Sequence, residues 1–239
     1  MTAGEFSYRD EDLTLTGFLA VNGGEAAKRP GVVIAPDAAG VSDHMKRHAA
    51  RFADLGYVAL ILDMYGAPVS GLHDGMKYVG PLKADPVTLR RRARAGLDAL
   101  AAHPQVDPAR LAVVGYCFGG TVALELARDG ADIAVAASLH GDLVTKAPAQ
   151  AGAVKPTVLV YHGGADPLCP LDTIPPFERE MDEAGADWLV TVYGSAKHSF
   201  TNPGADLYGV PAAGYNKLAD ERSWADLTHH LGVAFGAAR

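Results

Sequence analysis

Leu111-Ala112-Val113-Val114-Gly115-Tyr116-Cys117-Phe118-Gly119-Gly120 sets the fold expectation for this chain. The apolar run Leu111–Val114 predicts a buried strand, and the glycines after it predict a sharp turn into a helix with Cys117 at the apex. Such a turn needs small flanking residues because neighbouring backbone passes close by. Glycine two residues before and two after the cysteine is the nucleophile-elbow pattern, with sulfur where serine oxygen is usual. Glycine fills 27 of 239 positions, so both flanks arise by chance beside a given cysteine in about one case in eighty.

Outward from this turn, short continuous apolar runs alternate with helical patterns. The runs are Val32–Ala35, Tyr57–Leu62, Leu111–Val114, Ile133–Ser138, Thr157–Val160 and Trp188–Val192, as expected for strands buried on both faces of a parallel sheet. Helices are expected at Ser42–Leu55, Pro86–Ala102, Phe118–Arg128, Ile174–Ala184 and near Ala212–Gly236. Asp85-Pro86 supplies an N-cap and a first-turn proline, and Gly56 and Gly130 stand where C-terminal caps are needed. Glu5–Val21 suggests an antiparallel hairpin turning at Asp10-Glu11-Asp12. The fold class is therefore α/β, a mostly parallel, doubly wound sheet flanked by helices, in a single domain. In such sheets the ligand site lies at the carboxyl ends of the strands.

Composition narrows the function classes. A formal net charge of −7 disfavours nucleic acid as a partner. No apolar stretch approaches the roughly 20 residues of a membrane span, so a membrane role is not expected. Two cysteines in a chain this long do not make a disulfide scaffold. The polar, acidic start carries no signal-peptide pattern, and a cytoplasmic location is the expectation.

A thiol at such a turn needs a base to manage its proton and a carboxylate to orient that base. In hydrolases built on this sheet the chain order is nucleophile, acid, histidine. Asp166 follows the strand ending at Tyr161, and His198 follows Leu189–Tyr193, so both fall on the same sheet edge as Cys117. The bland alternatives are an inert core cysteine, a turn aspartate before Pro167 and a surface-loop histidine. One oxyanion donor is expected from the N–H of Phe118 at a helix start and the other from the N–H of Ala38.

The chain resembles the dienelactone hydrolase family of α/β-hydrolases. The resemblance is carried by Gly115–Gly120, by Asp166 in Gly163-Gly164-Ala165-Asp166-Pro167, and by His198-Ser199-Phe200. Gly40-Val41-Ser42-Asp43-His44, Leu55–Ala59 and Asp63-Met64-Tyr65-Gly66 add to it, and the match runs from about Pro30 to Trp224. It implies an α/β-hydrolase fold and a triad of Cys117, Asp166 and His198. It also implies no metal or organic cofactor and a small-molecule ester or lactone as substrate, cleaved through a thioester. Monomer and homodimer both stay open. The family places a glutamate after the first core strand, where this chain has Asp37. The resemblance implies that this carboxylate engages the resting thiol and helps activate it when substrate binds. Family enzymes acting on dienelactone clamp its carboxylate with arginines. Here Asn202 stands at one such position, and Gly66–Ala84 offers Lys77 and Lys83 but no arginine.

Thioester hydrolysis or acyl transfer is a neighbouring possibility, and a non-catalytic small-molecule binder on the same fold is a more distant one. Gly66–Ala84 shows no clear period and is expected to be irregular, as a short lid or a surface excursion. His140, Ser199 and Asn202 are candidate pocket residues, with His162 beside them on the pocket floor. Arg90, Arg91, Arg92 and Arg94 read as a solvated helix face. His44 and His48 lack a third partner for a metal, Cys169 reads as an inert thiol, and Trp224 as packing for the last helix.

Overall fold

The computed structural model describes residues 1–24 and 28–236. Eight strands form one sheet: β1 (Thr2–Asp10), β2 (Leu13–Val21), β3 (Arg29–Ala35), β4 (Val58–Ile61), β5 (Val106–Tyr116), β6 (Val135–Leu139), β7 (Thr157–Gly163) and β8 (Trp188–Tyr193). Their spatial order is β1-β2-β4-β3-β5-β6-β7-β8. β1 pairs antiparallel with β2 and β2 with β4, and every other pairing is parallel. The expected hairpin is present, turning through Glu11-Asp12. Chain order reverses direction between β3 and β5, which makes the loops after those two strands the walls of a switch-point crevice.

Both sheet faces are covered. Val32, Ile34, Ala112 and Val114 point into one core, packed by α1 (Asp43–Asp54) and α6 (Lys217–Phe235). Val33, Ala35 and Val113 point into the other, packed by α2 (Leu72–Ala84), α3 (Pro86–Ala101), α4 (Phe118–Arg128) and α5 (Ile174–Glu183). The continuous apolar runs follow from this, since each strand must satisfy an apolar layer on either side.

Caps mark where the helices start. Ser42 accepts from the Met45 N–H, Asp85 from the Thr88 N–H, and Asn216 from the Ala219 N–H. The last helix begins at Lys217 rather than near Ala212, because Gly209, Pro211 and Gly214 keep the preceding segment in turns and Asn216 supplies the cap. β5 begins at Val106 rather than Leu111, pairing Val106 with Arg29 across a register shift. Arg90, Arg91, Arg92 and Arg94 do not form a free solvated face. They pair with Glu125, with Asp10 and Glu11, with Asp10, and with Asp129, respectively.

The segment expected to be irregular, Gly66–Ala84, instead contains the helix α2. Two glycines and Pro81 mask it in the sequence, because all three lower helix propensity. Gly75, Val79 and Leu82 form its buried face. Gly75 serves packing: a Cβ there would stand 1.5 Å from the Ala38 carbonyl oxygen.

Candidate active site

Cys117 follows β5 directly and caps α4 with φ 55° and ψ −118°. Positive φ in a non-glycine residue is strained, at a cost on the order of 1–3 kcal/mol. Tight packing holds it there. A Cβ at Gly115 would fall 1.8 Å from the Gly119 carbonyl oxygen, and one at Gly119 would fall 1.9 Å from that of Ala35. The Cys117 N–H is shared between the Leu139 carbonyl, at 3.0 Å, and His140 Nδ1, at 3.1 Å. Of the four described non-glycine residues with positive φ, three (Cys117, His140 and Ser199) gather at this edge.

The three residues picked for the relay converge. His198 Nε2 lies 3.0 Å from Cys117 Sγ, and His198 Nδ1 lies 2.8 Å from Asp166 Oδ2. The other carboxylate oxygen of Asp166 accepts from the N–H groups of Leu168, at 2.9 Å, and Cys169, at 3.2 Å. The His198 loop is held by a parallel bridge to Ala213. Burial opposes charge on His198, but the facing Cys117 sulfur and hydrogen bonds to Asp166, Cys117 and Cys169 together push its pKa well up. That favours the charged imidazolium at His198.

Around the thiol lies a cavity of about 360 Å³. Ala38 and Phe118 line it, and neither backbone N–H donates to a protein acceptor among the described residues. Both are therefore free to donate to a group bound in the cavity. The Ala38 peptide is fixed from behind by the Tyr65 hydroxyl, which donates to its carbonyl at 3.2 Å. Leu72, Met76 and Val79 of α2 form an apolar wall, faced by Leu168, Tyr208 and Val210.

Several expected placements need correction. Ser199 lines the cavity, but His140 and Asn202 do not. His140 lies buried behind the elbow, its Nε2–H directed to Thr201 Oγ1 at 2.8 Å. Asn202 donates to the Tyr208 hydroxyl and so acts on a residue that does line the cavity. His162 is buried and donates from Nε2 to the Cys169 carbonyl at 2.7 Å. Among the described residues no hydrogen bond joins Asp37 to Cys117. Asp37 Oδ1 accepts from the Ala39 N–H at 2.9 Å instead, while the sulfur faces His198. The shorter side chain is satisfied by its own turn. Burial pushes its pKa up to about 6, against the opposing pull of the Ala39 N–H and His198.

Tyr208, Val210, Thr121 and Asp142 also line the cavity and were not picked from sequence, and Lys83, noted there only as a cation of its segment, lines it paired with Asp142. They come from segments distant in the chain, and no local pattern marks them. Cys169 is buried against the relay: Asp166, Cys169 and His198 present possible metal-ligating atoms within 4.8 Å of one another. The Asp166 and His198 atoms are already engaged with each other. His44 and His48 pack in a ring cluster with Tyr116, whose hydroxyl lies 3.1 Å from His48 Nδ1. Trp224 of α6 packs on Phe52 of α1 under the Arg51 guanidinium.

A doubly wound sheet, a strained turn at the end of its central strand and a histidine from a later loop define an α/β-hydrolase. More specifically, the chain belongs to the dienelactone hydrolase family, whose model matches residues 15–235. The carboxymethylenebutenolidase of Pseudomonas putida is 29% identical over 221 residues, 83% of this chain and 86% of that protein. The solved structure of a dienelactone hydrolase-like promiscuous phosphotriesterase from metagenomic libraries matches with a TM-score of 0.92 and 38% identity, over 98% of both chains. A second solved structure, m3DLH, matches with a TM-score of 0.91 and 37% identity, again over 98% of both. The protein is a carboxylic ester hydrolase. No helix among the described residues is long and apolar enough to cross a membrane.

Proposed function

We propose that this hydrolase cleaves small-molecule esters or lactones with Cys117 as nucleophile, His198 as general acid and base, and Asp166 as the orienting carboxylate. The supporting observation is the continuous relay, with Sγ 3.0 Å from Nε2 and Nδ1 2.8 Å from Oδ2, opening on a cavity. The Cys117 thiolate attacks the carbonyl carbon, and the carbonyl electrons move to oxygen. The N–H groups of Phe118 and Ala38 hold that oxyanion. Collapse expels the alcohol, which takes a proton from His198 Nε2 and leaves a thioester on Sγ. Water then attacks the thioester while His198 accepts its proton, and the acid departs as the thiolate re-forms. Asp166 accepts from Nδ1–H and so fixes that tautomer. Asp37 modulates this cycle through charge rather than through a direct hydrogen bond to sulfur.

Aryl esters, enol lactones and thioesters should be hydrolysed by the wild type and not by Cys117→Ala. A folded wild type inactive on all three would overturn the assignment, and an equally active Cys117→Ala would remove the nucleophile. The metagenomic relative's description as a promiscuous phosphotriesterase supports a second reading. The same thiolate would then also attack neutral phosphotriesters, and a phosphotriester assay with the same variant tests this.

A further inference from the structure

The charges lining the catalytic cavity bear on which esters it admits. Its walls are largely apolar, and Lys83 and Asp142 are the oppositely charged pair among its lining residues. Lys83 ends α2, and Asp142 lies in the loop after β6. The ammonium meets Asp142 Oδ2 in an ion pair between half-buried side chains. Asp142 is held from two further directions: its Oδ1 accepts from the Val144 N–H at 3.0 Å, and its carbonyl from Thr121 Oγ1 at 3.2 Å. The carboxylate is thus fixed in place, and the lysine is committed to it. Lys77, the other cation of the α2 segment, is spent outside the cavity on Asp74, at 2.6 Å. The buried Asp37 adds no positive charge.

A carboxylate-bearing substrate entering this space would lose its water and find no free cation. It would also have to compete with Asp142 for Lys83. An ionised group buried without a partner is strongly disfavoured, whereas an apolar, uncharged substrate meets matching walls. We infer that this enzyme selects uncharged esters or lactones with apolar substituents, and that Asp142, by occupying Lys83, is the residue that sets this specificity. The inference rests on the hydrolase reading above and names the substrate class of that same site. It departs from the carboxylate-clamping arginines found in dienelactone-cleaving enzymes, which this chain lacks.

The test is a matched pair of aryl monoesters assayed with the full-length protein: p-nitrophenyl butyrate, and p-nitrophenyl hemiglutarate, which ends in a carboxylate. Hydrolysis of the butyrate alone reports on the proposed function, and the ratio of the two kcat/KM values reports on the selectivity. The wild-type ratio should favour the butyrate by about 100-fold. Asp142→Asn frees Lys83 and should shrink the ratio by about 10-fold, mainly through a lower KM for the hemiglutarate. Lys83→Gln leaves Asp142 alone in the cavity and should widen the ratio by about 3-fold or more. A merely structural role would move both substrates together and leave the ratio constant. A wild type that cleaves both equally well, or a ratio unmoved in whichever variant folds, overturns the inference. Failure to cleave either ester would instead count against the hydrolase reading.

Discussion

Cys117 is strained, half-buried and paired, and each property follows from its neighbours. The turn forces φ to 55°, the flanking glycines let backbone close in, and His198 takes the sulfur. Its removal should cost more than a binding contact. Cys117→Ala should lower kcat by at least about 10³-fold, with the residual rate left to the oxyanion donors. Steady-state kinetics on an aryl ester check this. Asp37 makes a stability prediction with a definite sign. Its folded pKa of about 6 lies above the model-peptide value of 3.8, so folding is favoured when it is protonated and that advantage fades as pH rises from about 4 through 6. Asp37→Asn should therefore stabilise the protein above pH 7 by about 2 kcal/mol and much less at pH 4. Urea denaturation at the two pH values decides it, and equal effects at both would contradict the assigned cause.

At the scale of elements, α2 does two things at once. Its apolar residues wall the cavity, and its Gly75 lets the helix rest on the Ala38 carbonyl, in the peptide that follows the Ala38 N–H. Gly75→Ala must push helix and loop apart. It should destabilise the fold by about 1–3 kcal/mol and lower kcat more than it raises KM, because the donor that moves acts on the transition state. A raised KM with kcat unchanged would mean that α2 shapes binding only. This helix was also the element least legible in the sequence. Gly75, Gly80 and Pro81 argue against a helix locally, and the reason for Gly75 is a contact with residue 38, which no local pattern reveals. The elbow was legible for the opposite reason: the steric demands of the turn act on its immediate neighbours, so Gly115 and Gly119 announce it. Asp166 and His198 could be placed because strands end where apolar runs end. Tyr208, Thr121 and Asp142 could not, since only the folded sheet brings their loops together. Asp37 was expected to engage the thiol, but its carboxylate accepts from the Ala39 N–H of its own turn, a choice that residue type alone does not reveal.

Across the whole molecule, the buried histidines shape the pH response. Burial, with help from nearby arginines, lowers the His44 pKa to about 4, and burial holds His48 and His140 well below the usual value. A depressed folded pKa gives stability that is full above the unfolded value near 6.5 and is lost as pH falls toward the folded pKa. Asp37 and Asp220, both with raised pKa values, work the other way, against four histidines once the lowered His103 is included. His198, with its raised pKa, already gives its full contribution below 6.5. Stability should therefore decline between pH 6.5 and 4, and a Tm that is flat or rising over that window by calorimetry would show that these histidines are not held neutral.

The proposed cycle turns on a covalent bond to one atom, the Cys117 sulfur. Acid-quenching the enzyme during turnover of an aryl ester and weighing the intact protein tests it directly. One acyl group should be added, it should map to the peptide carrying Cys117, and it should be absent from Cys117→Ala. An acyl group on any other residue, or turnover by Cys117→Ala at the wild-type rate, would contradict the account.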